Sequence, residues 1–281
     1  MKINYSCVVD NKERYLTQGW LWANSLIKLG KVNPANVWVH FVKGIDDEYI
    51  NKFVNEGINV ALIDPYGDKK YCNKIAQMRN DKLKDADAII LMDIDMIVLD
   101  NFEDTLDFDY INSKIVNAIN PPIEIIEELF ATSGLTKVLP DVVVELNQGM
   151  TYGANFNGGL YFIPKKYYAA VQSGWEKWAQ WLLKNGKPLY DAGKEANIDQ
   201  VSFCMTVHEN NIPIKYLTRL HNYPMPFQFG DADRIPYVLH YHTVMEEHKS
   251  NLIKVDYEPI GNVKKAIEIA NEFITQTEKT K

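Results

Sequence analysis

The 281-residue sequence predicts an α/β fold in which a central, mostly parallel mixed sheet is flanked by helices. Three observations carry that prediction. Over the first hundred residues short apolar runs alternate with longer amphipathic ones, as βα units require. Gly, Pro and Asp stand at the ends of those runs, where the chain must turn. The composition, 46% hydrophobic and 12% aromatic against 24% charged, supplies a full core and too little charge for disorder.

In order, residues 3–9 read as a first strand. Residues 15–29 follow as a helix with Leu16, Trp20, Ala23, Leu26 and Ile27 at near-helical spacing, and Gly30 stands at its C-terminal cap. Residues 37–42 form a second strand. Asp46 is a good N-cap for a short helix over 48–56, Gly57 stops it, and residues 58–63 form a third strand before Asp64-Pro65. A helix over 73–83 leads to a strand over 88–92. Beyond Pro121-Pro122 a helix from Ile123 to about Thr132 and a short strand over 142–145 are expected. Residues 156–163 form a strand stopped by Pro164, and 166–184 a helix whose Trp175, Trp178 and Leu182 share a core-facing stripe. A helix over 198–209, a strand over 214–217, an aromatic loop over 223–235, a strand over 237–241 and a helix over 263–275 complete the series.

The net charge is −7 and no basic cluster exceeds two lysines, which argues against a nucleic-acid partner. No apolar run reaches the roughly 18 residues of a membrane span. No export signal is readable at the N-terminus. Cys7, Cys72 and Cys204 are odd in number and lack metal-like spacing, so reduced, buried thiols in a cytoplasmic protein are expected. An acidic chain repels a phosphate-bearing ligand unless a cation or local backbone donors intervene.

The sharpest local feature is Asp93-Ile94-Asp95, directly after the apolar strand over 88–92. Carboxylates at the C-terminal end of a central strand stand where α/β sheets bind ligands. In extended chain the two project to one side and can converge on one hard cation. The plain alternative is chance, since such a spacing is common in acidic chains. Two chemistries use a strand followed by paired aspartates: nucleotide-sugar transfer, with Mn²⁺ or Mg²⁺ on the diphosphate, and phosphoryl transfer on an aspartyl nucleophile. Further along, Asn157, Gly158 and Gly159 open a strand where backbone can approach a ligand closely, or simply make a tight turn. Asp199 and Gln200 open a helix, where Asp also serves as a first-turn charge. His240 and His242 end a late strand on one side.

In this order the pieces resemble a glycosyltransferase of the GT-A fold, a Rossmann-like nucleotide-diphospho-sugar transferase architecture. The nearest likeness is to family 8, the glycogenin and bacterial galactosyltransferase group. The resemblance covers roughly residues 3–245 and rests on Tyr15 and Ser25-Leu26, Leu91-Met92-Asp93-Ile94-Asp95, Phe156-Asn157-Gly158-Gly159, Asp199-Gln200 and Leu239-His240-Tyr241. It implies one GT-A domain over 1–281, with a nucleotide-sugar-binding half to about 110 and an acceptor-side half beyond. It implies Asp93, Asp95 and His240 as ligands of Mn²⁺ or Mg²⁺, Asp10 and Tyr15 against the nucleotide base, and Lys74 or Arg79 reaching phosphate or sugar. Asn157 and Gly158 would border the donor sugar, and Asp199 and Gln200 would contact the sugar in transfer. The implied donor is a UDP-sugar, the acceptor a sugar or glycoconjugate hydroxyl, and the outcome retention; if the enzyme inverts instead, Asp199 is the first candidate for general base.

The sequence departs from the family's His-Phe-x-Gly-x-x-Lys-Pro-Trp motif. His240-Tyr241-His242-Thr243-Val244-Met245-Glu246 lacks the Gly, Glu246 occupies the Lys position, and Lys249 follows three residues late. The departure leaves open whether His240 or His242 is the ligand. It also keeps alive a phosphatase or nucleotidyltransferase using the same aspartates, and a non-catalytic module that binds nucleotide or glycan. The sequence assigns no oligomeric state.

Overall fold

The computed structural model describes residues 1–146, 148–246 and 251–279. The chain opens with β1 (Ile3–Val9), α1 (Glu13–Lys28), β2 (Val37–Val42), α2 (Asp47–Asn55) and β3 (Asn59–Ile63). It continues through α3 (Asn73–Ala76), β4 (Ala88–Met92), β5 (Met96–Val98), β6 (Ile111–Ile115), α4 (Ile123–Ser133), β7 (Asp141–Val143) and β8 (Met150–Tyr152). Then come β9 (Phe156–Pro164), α5 (Tyr168–Asn185), α6 (Lys187–Asp191), α7 (Ile198–Glu209), β10 (Ile214–Tyr216), β11 (Tyr223–Pro224), β12 (Val238–His240) and α8 (Gly261–Glu278).

The central sheet has the order β10-β6-β9-β4-β1-β2-β3 and is mostly parallel, with β9 antiparallel to β6. β2 lies parallel to β1 in the register Tyr5↔Val37 to Val9↔Phe41. The small sheet β11-β12-β5 pairs β12 antiparallel to β5, with His240 opposite Met96. A two-stranded hairpin, β7 with β8, stands apart from both sheets.

Most expected elements form where their caps and periodicity placed them. Asp46 caps α2 by accepting from the Glu48 N–H at 2.9 Å, and Gly57, at φ 76°, ends the same helix in a left-handed turn. The helix expected over 73–83 is shorter than its apolar spacing suggests. It makes one α turn and a 3₁₀ turn over Gln77–Arg79, and residues 81–87 run on as turns. Asn80 leaves helical geometry at ψ 104°, and its side chain accepts from the Lys82 N–H, a local bond that competes with helix. The strand expected over 142–145 is β7, shifted toward Asp141. β5, β6, β8, β11 and α6 are not in that series: β5, β8 and β11 are too short to establish a period, and β6 carries three buried polar residues, Asn112, Ser113 and Lys114, between two isoleucines.

Chain contacts resolve two compact units, one of Met1–Ile3, Ile63–Ile90 and Asp107–Tyr216, the other of Asn4–Leu62, Leu91–Leu106 and Leu217–Lys281. In the first, Tyr161 of β9 stacks on Phe203 of α7 at 4.2 Å, and Trp175 of α5 meets Phe203 edge-on at 5.0 Å. The tryptophan stripe is therefore core. A glycine at 174 lets α5 approach α7 closely, since a Cβ there would lie 2.5 Å from Thr206 Cγ2. In the second unit, Leu21, Ile97, Leu239, Tyr241, Ala270 and Ile274 belong to one apolar cluster under α8. The three cysteines are buried and free. Among the described residues no helix is long and apolar enough to cross a membrane.

Candidate functional site

The second unit holds a carboxylate flanked by two imidazoles. Residues 93–95 form the turn between β4 and β5, so Asp93 and Asp95 sit on bent chain directly after the strand. Asp95 Oδ1 lies 3.1 Å from Nε2 of His240, the last residue of β12, and Asp95 Oδ2 lies 3.9 Å from Nδ1 of His242. The two rings stack, centroids 3.6 Å apart and planes 26° from parallel. The antiparallel pairing of β12 with β5 brings them there, and the Tyr241 N–H donates to the Asp95 carbonyl at 3.0 Å.

One ligand atom from each of Asp95, His240 and His242 lies within 4.8 Å of the others, close enough for a single metal ion. Asp93 is not among the three, although its charge reaches Cys7 and helps burial raise that thiol. Burial by itself would raise the Asp95 carboxyl. The facing imidazole of His240, its hydrogen bond and the nearby His242 outweigh burial and hold Asp95 at about 2. It is ionised across the physiological range.

Two supporting residues were not legible in the sequence. Asn222, fully buried, places Oδ1 3.0 Å from His240 Nδ1. Arg14, in the first turn of α1, donates from Nη2 to the His242 carbonyl at 3.3 Å. No spacing rule links either to the histidines. Asp10 follows β1 with its side chain half-buried, and the half-buried Tyr15 ring takes the Lys12 ammonium at 5.4 Å from its centroid. Lys249 lies outside the described residues.

The first unit gathers a second set of the expected residues. Lys74 Nζ, on α3, lies 3.1 Å from Asp199 Oδ2 on α7 and donates to the Gly158 carbonyl at 3.2 Å. A Cβ at Gly158 would meet Lys74 Nζ at 3.3 Å and Asp199 Oδ2 at 3.6 Å, so glycine keeps that face of β9 open. The Trp175 indole N–H donates to the Asp199 carbonyl at 2.7 Å and fixes the start of α7. Gln200 gives its amide group to Asn155 Oδ1 at 2.7 Å and to the Asn120 carbonyl at 3.0 Å, which orients its remaining oxygen. Asn155 and Asn120 are further contributors that the sequence did not single out. Asn157 Oδ1 accepts from the Gly159 N–H at 3.0 Å.

Arg79 is engaged elsewhere. Its guanidinium makes a two-point ion pair with Glu176 at 2.7 and 3.1 Å and lies over the Tyr66 ring at 4.7 Å.

No protein-family model and no curated protein sequence matches the chain. Solved structures do. Mouse xyloside xylosyltransferase 1 aligns with a TM-score of 0.50 at 15% identity, over 86% of this chain and 98% of that one. The galactosyltransferase LgtC, solved with donor and acceptor sugar analogs, aligns at 0.55 and 15% identity over 96% and 95%. An active-site glutamine-to-glutamate mutant of LgtC aligns at 0.54 and 13% identity over the same shares. The glycosyltransferase GlyE of Streptococcus pneumoniae TIGR4 aligns at 0.55 and 13% identity over 99% of this chain and 64% of that one. The chain thus has the GT-A-type fold of these glycosyltransferases, a mostly parallel sheet flanked by helices.

Proposed function

We propose that the protein is a metal-dependent glycosyltransferase that moves a hexose from a UDP-sugar to a hydroxyl of a glycan or glycoconjugate, with retention of configuration. The observation that carries this reading is Asp95, ionised and flanked by His240 and His242, in the turn that follows a strand of the central sheet. A carboxylate with imidazole nitrogens is a fitting donor set for a divalent first-row ion. In this reading Asp93, Asp95 and His240 hold Mn²⁺ or Mg²⁺. The ion supplies charge stabilisation to the departing diphosphate.

The chain's own groups do the rest. Asp10 and Tyr15 take the nucleotide base, and Asn157 with Gly158 borders the donor sugar. Lys74 stands as the cation for phosphate or sugar oxygens, in preference to Arg79, whose fork is already filled by Glu176. Asp199 and Gln200 face the cation-like sugar of the transition state, a role suited to an ionised carboxylate and an amide oxygen. LgtC carries a glutamine in its active site, the one changed to glutamate in that mutant, which supports giving Gln200 such a role here. The departing phosphate oxygen would take the acceptor hydroxyl's proton on the face it leaves, so no strong protein base is needed and the configuration would be retained, as the family resemblance implies. One GT-A domain, with donor recognition concentrated before about residue 110, is part of the same proposal.

The test is UDP release from a panel of UDP-sugars with Mn²⁺ and with chelator, because slow hydrolysis needs no known acceptor. Release from one donor, abolished by chelator, establishes the class and names the sugar. Silence across the panel, with UDP binding confirmed separately, overturns UDP-sugar transfer.

A further inference from the structure

We propose that His242 is a second imidazole ligand beside His240, and that a second imidazole added to the carboxylate and His240 ligands selects ions such as Mn²⁺, Co²⁺ or Zn²⁺ over Mg²⁺ and Ca²⁺. This rests on the metal site proposed above and adds which ions that site takes.

The geometry divides Asp95 between the rings. His240 Nε2 addresses Oδ1 at 3.1 Å, and His242 Nδ1 addresses Oδ2 at 3.9 Å. Ligand atoms sharing an ion at about 2.1 Å lie roughly 3 to 4 Å apart, so a spread of at most 4.8 Å closes with a small side-chain movement.

The placement of His242 is built. Its backbone is left-handed at φ 49°, a conformation few non-glycine residues adopt, and it turns the chain immediately after β12. That turn lays the second ring against the first at 3.6 Å. Arg14 holds the same turn through the His242 carbonyl. An unconstrained residue after the strand would leave in extended chain and carry its ring elsewhere.

Asn222 acts as a positioning residue. An acceptor oxygen 3.0 Å from His240 Nδ1 keeps a hydrogen on that nitrogen, so Nε2, the nitrogen beside Asp95, is the one left to shed its proton and bind the ion.

The consequence is chemical. Mg²⁺ and Ca²⁺ are hard ions that prefer oxygen ligands, whereas imidazole nitrogens suit later first-row ions. One histidine among oxygen ligands tolerates Mg²⁺; two shift the set away from it.

The test titrates the metal-free full chain, without nucleotide, with Mn²⁺, Zn²⁺ and Mg²⁺ by calorimetry, and reads nitrogen couplings to bound Mn²⁺ by pulsed electron resonance. The wild type is expected to bind Mn²⁺ at least roughly tenfold tighter than Mg²⁺ and to show two coupled nitrogens. His242→Ala should lose about tenfold or more in Mn²⁺ affinity, retain its Mg²⁺ affinity and keep one coupled nitrogen. Asn222→Leu should weaken Mn²⁺ binding while preserving both couplings. If folded His242→Ala keeps wild-type selectivity and two couplings while Asp95→Ala loses binding, the role of His242 is refuted and the metal site stands. If Asp95→Ala still binds the ion, or the wild type binds none, both readings fail.

Discussion

Lys74 and Asp199 form an ion pair across 3.1 Å with their side chains only 19% and 6% exposed. Two charges so withdrawn from water depend on each other, and removing one partner is costlier than removing both. Lys74→Met should therefore destabilise the fold by about 3 kcal/mol, and pairing it with Asp199→Leu should recover much of that loss. Urea unfolding of the three variants checks this; additive single effects would show that the pair is not coupled.

The Gln200 amide points both its N–H groups at oxygens, one from Asn155 and one from the Asn120 carbonyl. Gln200→Glu puts a carboxylate oxygen against those acceptors, at a cost of about 1–3 kcal/mol near neutrality. The introduced carboxyl regains one donor when protonated, so the deficit should shrink as pH falls. Thermal melts at pH 7 and pH 5 measure it, and a deficit that grows on acidification would contradict this geometry.

Turnover gives a separate readout at the paired aspartates. Under the proposed function, Asp93→Ala should cut chelator-sensitive UDP release by at least about a hundredfold while its circular dichroism spectrum matches wild type. Full activity in that variant would remove Asp93 from the metal set.

His40 sets a pH dependence of stability. Burial lowers this imidazole from 6.5 to about 4, against a smaller opposing contribution from its backbone hydrogen bond with Cys7, and Ser6 Oγ lies 3.0 Å from its Nδ1. Folding favours the neutral ring, so the unfolded chain binds the extra proton between those values. The stabilisation is complete above pH 6.5 and is lost as pH falls toward 4, at about 1.4 kcal/mol per unit. His40→Gln should flatten this slope in unfolding free energy measured between pH 7 and 4.5. An unchanged slope would assign the acid loss to other groups, including His208, whose burial lowers it in the same direction.

Gly174 tests the contact between α5 and α7. Alanine is the better helix former by about 1 kcal/mol. Its methyl carbon would lie 2.5 Å from Thr206 Cγ2, and overpacking of that kind costs about 1–3 kcal/mol. Gly174→Ala should thus destabilise on balance, and adding Thr206→Ser, which removes the clashing methyl, should reverse the sign. Denaturant midpoints of the single and double variants decide it.

Much of this structure was legible because its information is local. The α2 cap at Asp46 and stop at Gly57, the strand over 37–42 and the tryptophan stripe of α5 follow from short-range spacing. The carboxylate after β4 was visible for the same reason. What spacing does not encode is which distant residue completes a group. Asn222 beside His240, Arg14 beside His242 and Asn120 beside Gln200 are set by tertiary pairing across 18 to 228 positions. The expectation that alternation in extended chain would pair Asp93 with Asp95 assumed a strand, whereas those residues lie in a turn. The strand pairing of β12 with β5 brings the histidines to Asp95.

Each compact unit is assembled from three separate stretches of sequence, and one of them needs both residues 4–62 and residues 217–281. During ribosomal synthesis β1 and α1 emerge long before α8, which they require to bury Leu21. Loop closure over such separations is slow, and the waiting strands are exposed to misassociation. A fragment cut near residue 110 would inherit that exposure permanently, which makes co-expression of complementary fragments a better dissection strategy than truncation.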